Sequence, residues 1–194
     1  DTLLNQWAED AQLNIVWETD CKRTRGTATT VADTTRYVLT SLIPNCLKIL
    51  RIRIYDSDAG KWRPLTQKDQ DFLDKVYPQW ESSEAGPPRY YVYDRELDEF
   101  ILYPMANTAH VGTNYLETYS SIKPTVMSTD TQSPDIPETL HPAIVSYMVA
   151  TGLESRGYQD IANTHWAKYQ GQLLRYRGIR GTEPDGEVTM HAER

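Results

Sequence analysis

Apolar residues near the start of the chain return at helical spacing. Over Thr2 to about Val16, Leu4, Trp7, Ala8, Ala11 and Ile15 form one stripe, which predicts an amphipathic helix capped by Asp1 or Thr2. A lone helix of that length is marginal in water, so the stripe also predicts a packing partner. From Asp20 to Asp33 the period disappears, and the Thr-, Arg- and Lys-rich run with Gly26 reads as an exposed connection. Alternation then takes over. Tyr37-Val38-Leu39 is a short β-prone run halted near Pro44, which cannot continue a central ladder. From Leu47 to Tyr55, Leu50, Ile52 and Ile54 are expected on one face and Arg51, Arg53 and Tyr55 on the other. Asp56-Ser57-Asp58-Ala59-Gly60 supplies turn chemistry, and Lys61-Trp62-Arg63-Pro64-Leu65 returns as the antiparallel partner.

Thr66 reads as the cap of a short helix carrying Phe72, Leu73 and Val76, which Tyr77-Pro78 ends. Arg89–Tyr93 and Glu99–Tyr103 predict a second hairpin around Asp94-Arg95-Glu96-Leu97-Asp98. Residues 109–119 predict one more strand, and Pro124–Pro137 a polar linker. Helical spacing resumes from Glu138 to about Arg156 with Leu140, Ile144, Val145 and Met148, and Pro142 is tolerated in the first turn. After the Gly157-Tyr158-Gln159 turn, Asp160 is expected to cap a helix with Ala162, Trp166, Tyr169, Leu173 and Tyr176 along one side. The expected fold is α+β. An antiparallel helical bundle of the N-terminal helix and a C-terminal helical hairpin (1–26 and 124–177) carries an inserted antiparallel β-sheet or sandwich domain (27–123). An extended C-terminal tail (178–194) follows.

Composition adjusts this picture in two places. A net charge of −7 argues against general attraction to nucleic acid, and the cluster Lys22-Arg23-Thr24-Arg25 is too short to carry a duplex. Thirteen tyrosines and five tryptophans against two phenylalanines favour half-buried positions and protein interfaces. No stretch has the apolar length of a membrane span. Asp1-Thr2-Leu3-Leu4 lacks the basic flank and apolar run of a signal peptide. Cys21 and Cys46 are expected as two reduced thiols.

Reaction chemistry is sparse. His110, His141, His165 and His191 lie in separate segments without metal-ligand spacing, so no metal and no cofactor is expected. Nucleophile elbows and phosphate loops are missing. Asp56, Asp58 and Gly60 fit a hairpin turn better than a calcium loop, which needs further ligands. No catalytic residue is expected. Tyr91 and Tyr93 leave open a ligand-binding module, of carbohydrate type, built on exposed tyrosines.

The order of these pieces carries a resemblance. Tyr37-Val38-Leu39 followed by Pro44, Leu50-Arg51-Ile52-Arg53-Ile54, a Trp-bearing return strand ending at Leu65, Trp80, Gly86-Pro87-Pro88-Arg89-Tyr90-Tyr91 and Ile101-Leu102-Tyr103-Pro104 together resemble the head-to-tail adaptor (connector, head-completion) proteins of tailed bacteriophages. The resemblance covers most of the chain. Where the family pattern has a Tyr-x-Leu-Pro element, this chain has the longer Leu39-Thr40-Ser41-Leu42-Ile43-Pro44.

The resemblance implies a structural virion protein and not an enzyme. Such adaptors form rings, commonly twelve-fold, that join the portal at the capsid vertex to the tail or nozzle around the DNA exit channel. The implied partners are the portal protein, the tail or nozzle protein and further copies of the chain, with DNA passing through without sequence-specific binding and no membrane involved. Under this reading Arg177, Ile179, Arg180, Val188, Thr189 and Met190 are expected at the portal contact. Tyr91, Tyr93, Trp62 and Arg53 are expected to face the tail or a neighbouring subunit.

Overall fold

The computed structural model describes residues 2–127 and 132–182. The chain divides into two compact units, Asp1–Lys22 with Pro124–Arg194, and Arg23–Lys123.

In the first unit, helix α1 (Thr2–Thr19) buries Ala8, Ala11, Gln12, Ile15, Val16 and Thr19. The buried stripe is rotated from the one expected, for Leu4 is half exposed while Gln12 is fully buried. Gln12 is accommodated because its Oε1 accepts the Asp135 backbone N–H at 2.8 Å. Two further helices, α4 (His141–Glu154) and α5 (Gln159–Thr182), pack on each other, and α1 packs on both. A 3₁₀ turn at Glu138–Leu140 leads into α4, and Pro142 sits in its first turn, where a missing N–H costs nothing. Gly157 turns the chain between α4 and α5 at φ +81°, a conformation side chains disfavour. Ala162, Tyr169 and Leu173 are buried as their spacing predicts. Tyr147, Trp166 and Tyr169 pack edge to face with centroids 5.1–5.8 Å apart. Residues 178–182, expected as the start of an extended tail, instead continue α5. Arg175, Tyr176 and Arg177 make that last stretch compatible with a helix, and neither Gly178 nor Gly181 suffices to stop it.

Asp135 fastens the loop ahead of α4. Its carboxylate is paired with Lys22 and accepts from the Thr125 backbone N–H at 2.8 Å and Thr125 Oγ1 at 2.6 Å. Partial burial pushes the Asp135 pKa up, but the bonds from Lys22 and Thr125 outweigh it and hold the group at about 2. A depressed carboxylate stabilises the fold above its unfolded pKa and loses that contribution as pH falls through the folded value. Asp135→Asn should therefore cost about 1 kcal/mol at neutral pH, allowing for solvent screening. The gap from the parent protein should close as pH falls towards 2. Urea titrations at pH 7 and pH 3 check this, and a gap that grows in acid would contradict it.

The second unit is a pair of sheets. Its strands are β1 (Arg23–Thr30), β2 (Arg36–Val38), β3 (Cys46–Asp56), β4 (Lys61–Pro64), β5 (Thr66–Gln67), β6 (Tyr90–Asp94), β7 (Glu99–Tyr103) and β8 (Gly112–Ile122). One sheet runs β1-β8-β3-β4 and is antiparallel throughout; the other runs β2-β7-β6-β5, with only β5 and β6 parallel. Ile49, Ile52, Ile54 and Leu116 of the first sheet meet Tyr91, Phe100 and Leu102 of the second in one core. Helix α2 (Leu39–Leu42) adds Leu39 to it. Helix α3 (Gln70–Val76) and the 3₁₀ turn Trp80–Ser82 cover the far side of the second sheet, where Leu73 and Trp80 pack on Val92, Ile101 and Tyr103.

Three local expectations change. The Thr- and Arg-rich stretch read as a connection forms β1, an edge strand whose pairing with β8 supplies order that apolar periodicity could not signal. In β3 the register shifts between Ile49 and Arg51, so Ile49 points into the core and Leu50 is exposed. Asp69, not Thr66, caps α3 by accepting the Phe72 N–H at 2.7 Å, while Thr66 pairs with Tyr90 in the sheet.

Candidate functional site

The outward face of the first sheet gathers the densest chemistry among the described residues. Side chains two apart on a strand share a face, so Arg23 and Arg25 of β1 and Arg51 and Arg53 of β3 point the same way. Between those strands runs β8, which sets Tyr119 in register with both Arg25 and Arg51, and Glu117 in register with Arg53. Lys48 and Arg23 flank Ser121 in the next row. Beyond β3, Tyr55 stands opposite Trp62 of β4 with centroids 5.4 Å apart, and Tyr115 packs edge-on to Tyr55 at 5.2 Å.

Glu117 organises this face. Its side chain is fully buried, and its two oxygens are divided between cations: Oε1 accepts from Arg25 and Oε2 from Arg53. Burial pushes its pKa up, yet the hydrogen bonds from Arg53 and Arg25 outweigh burial and hold the carboxyl below the usual range. The ionised Glu117 thus orients two guanidinium groups across the sheet. Those groups in turn lie over aromatic rings. Arg25, Arg51 and Arg53 sit 5.6, 6.0 and 5.7 Å from the Tyr119 centroid, and Arg53 is also 5.4 Å from Trp62. The arrangement holds cationic side chains in fixed positions, as recognition of an anionic or polar protein surface requires. It offers no nucleophile, base and acid in mutual reach.

The expected site residues are distributed unevenly. Arg53 and Trp62 lie together in this face. Tyr91 and Tyr93 belong to the other sheet, and Tyr91 is 4% exposed, stacked on Phe100 at 5.9 Å and 20°. Burial pushes its phenol up to about 12. Tyr91 is therefore a core residue, which removes the exposed tyrosine platform: the β6 alternation sends its ring inward, where a hairpin against β7 needs bulk. Tyr93 is half-buried beside it, 6.4 Å away. Arg177 is tied within the helical unit, donating from Nε to the Glu18 carbonyl at 3.1 Å and from Nη2 to the Glu18 carboxylate at 2.7 Å. Ile179 is exposed on α5, and Arg180 lies in the same helix. Val188, Thr189 and Met190 fall outside the described residues.

Sequence reasoning missed Arg25, Arg51, Glu117 and Tyr119. The paired arginines at spacing two, 23/25 and 51/53, were a usable signal. Glu117 carried none, because only strand pairing brings Arg25 and Arg53 to it from opposite sides.

Other polar clusters are structural. Asp56 is buried and accepts from the backbone N–H groups of Asp58 and Ala59 at 3.1 and 3.0 Å, which makes its loop an Asx-type turn. Buried His110 lies 3.8 Å from it. Among the described residues no group of His, Cys, Asp or Glu is arranged to hold a metal ion, and no helix is long and apolar enough to cross a membrane.

Comparison with protein families sets this geometry in context. The model of the SU10 adaptor protein family matches residues 1–189. The chain belongs to the SU10 adaptor protein family. A comparison with curated proteins finds no match. As an SU10 adaptor, the chain is a bacteriophage structural protein of the virion, with an adaptor's contacts to other virion components. That role suits an outward face of fixed cations and rings better than it suits a reaction centre.

Proposed function

We propose that this SU10 adaptor is a ring-forming joint, not an enzyme, that links the portal at the capsid vertex to the tail or nozzle around the DNA exit channel. The observation that carries the reading is the arginine and aromatic face of β1, β8 and β3, which leaves Arg25 64% exposed over an ordered base. Arg, Tyr and Trp are the residues enriched where proteins meet. The helical unit adds exposed apolar side chains: Leu3, Leu13 and Trp17 recur at helical spacing along α1, and Val145, Ile161 and Leu174 are more than half exposed on α4 and α5.

In this reading the helices form an antiparallel bundle that builds the ring, twelve-fold by the head-to-tail adaptor resemblance. The β-rich unit presents Arg53 and Trp62 to a protein neighbour, and Tyr93 flanks it on the second sheet. The C-terminal segment, including Ile179, Arg180, Val188, Thr189 and Met190, reaches the portal. Arg177 supports that contact indirectly by holding α5 to Glu18 of α1. The acidic net charge of −7 keeps DNA from adhering to the channel wall.

A chain truncated after Thr182 tests the portal assignment. It should keep the parent's circular dichroism and melting behaviour while losing co-sedimentation with purified portal. Retained portal binding by the truncated chain would sink the assignment of Val188, Thr189 and Met190 to the portal contact. Failure of the full chain to bind portal at all would sink the wider reading.

A further inference from the structure

The two outward sides of the β-rich unit carry opposite charge. Among the described residues of the first sheet, Arg23, Arg25, Arg51 and Arg53 share the outer face with Glu117. The segment 66–104, which builds β5–β7 and the layer over the second sheet, has nine acidic residues against four basic ones. On that side a concavity of about 700 Å³ is lined by Asp69, Asp94 and Glu99 together with Lys68, Val92 and Ile101, and Arg36 of β2 offsets part of the negative charge by pairing with Glu99 and Glu81. Val92 and Ile101 belong to the layer facing away from the shared core, so this concavity and the arginine face look outward from opposite sides of the sandwich.

We propose that these two sides are the complementary halves of one subunit contact: the arginine and aromatic face of one copy docks on the acidic side of the next copy's β-rich unit. The inference rests on the ring-forming reading and names the surface that closes it. Opposite placement makes the contact heterologous, each copy using one face as donor and the other as acceptor, and such contacts generate rings when their rotation closes. Charge complementarity selects the partner. The cationic face finds its anionic counterpart on an identical chain, and like-charged faces repel, which fixes the direction of docking.

Nucleic acid is the poorer fit. Three guanidinium groups already lie 5.6–6.0 Å from the Tyr119 centroid and compete with a base for that ring. The long-range field of a chain with net charge −7 also opposes approach of a polyanion.

The test is a charge swap in the full chain. Arg23→Glu with Arg51→Glu reverses exposed cations without touching the pairs made by Glu117. Asp71→Arg with Glu96→Arg reverses two exposed acids of the segment 66–104; it gives up the exposed Asp71–Lys75 pair but keeps the caps made by Asp69 and Asp94. Circular dichroism of each variant against the parent controls for folding. By light scattering, each variant alone should associate about 100-fold more weakly than the parent. An equimolar mixture of the two should regain assembly, since the reversed faces now match each other in alternation. Parent assembly should also loosen by ~0.5 M salt, where exposed charge pairs are screened.

Assembly of the single variants at parental strength, or a mixture that fails to recover it, would overturn the docking. A parent chain that stays monomeric would overturn it too while leaving portal binding, measured separately, intact. If Arg23→Glu with Arg51→Glu assembles normally but loses retention on a DNA oligonucleotide column, the face belongs to nucleic acid and the proposal falls.

Discussion

Truncating Phe100 to alanine should cost the β-rich unit about 3–5 kcal/mol, the range for emptying a large aromatic site in a packed core. Phe100 has no exposed surface. Its ring stacks on Tyr91 at 5.9 Å and meets Tyr37 edge-on at 6.3 Å, so three strands lose a shared contact when it goes. Neighbouring Ile101 cannot fill the void, because it points into the separate cluster with Leu73 and Trp80. Total stability of a domain this size is of order 5–15 kcal/mol, so the variant should unfold at a much lower urea midpoint. Phe100→Leu keeps most of the volume and should cost no more than about 1–2 kcal/mol. Equilibrium urea curves followed by tryptophan fluorescence measure both. A loss under about 1 kcal/mol for Phe100→Ala would mean that this core is not formed as described.

Replacing Glu117 by alanine should destabilise the same unit by about 2–4 kcal/mol. A buried carboxylate that serves two guanidinium groups is removed, and both cations lose their acceptor. The cost stays below that of a fully enclosed pair, because the Arg25 side chain is 64% exposed and rehydrates, whereas Arg53 at 20% recovers less. The pH dependence separates charge from shape. Burial raises the Glu117 pKa, the bonds from Arg53 and Arg25 lower it by more, and the net folded value lies below the ordinary one. Its stabilisation is therefore complete above the unfolded carboxylate pKa and fades as pH falls through the folded value. Glu117→Gln, similar in shape but neutral, should lie between alanine and the parent at pH 7 and converge on the parent in acid. A difference from the parent that widens in acid would show that the carboxylate is not held ionised by its arginines.

Legibility varied with the kind of signal. The stripe Ala162–Trp166–Tyr169–Leu173 was readable because a helix lays i, i+3 and i+4 on one side regardless of its neighbours. The hairpins at 56–60 and 94–98 were readable from turn chemistry, and Asp56 and Asp94 do accept local backbone N–H groups there. Leu50 was misplaced because a one-residue shift in register reverses which side a strand's residues occupy, and nothing local announces that shift. β1 was missed because an edge strand of threonine and arginine owes its order to β8, not to its own hydrophobicity.

By itself the sequence determined the α+β class, the hairpins at 56–60 and 94–98, the apolar stripe of α5 and the lack of spaced ligand or nucleophile motifs. These properties depend on residues close together along the chain. Only the tertiary structure decided that Tyr91 belongs to the core, that α5 runs to Thr182, and that Arg25, Arg53 and Glu117 meet. The last of these joins residues 64 and 92 positions apart, and strand pairing alone creates such a contact. A face assembled across strands has no sequence period, which is why Arg53 and Trp62 were expected at an interface while Arg25, Arg51 and Glu117 joined them only once β8 was laid between the strands.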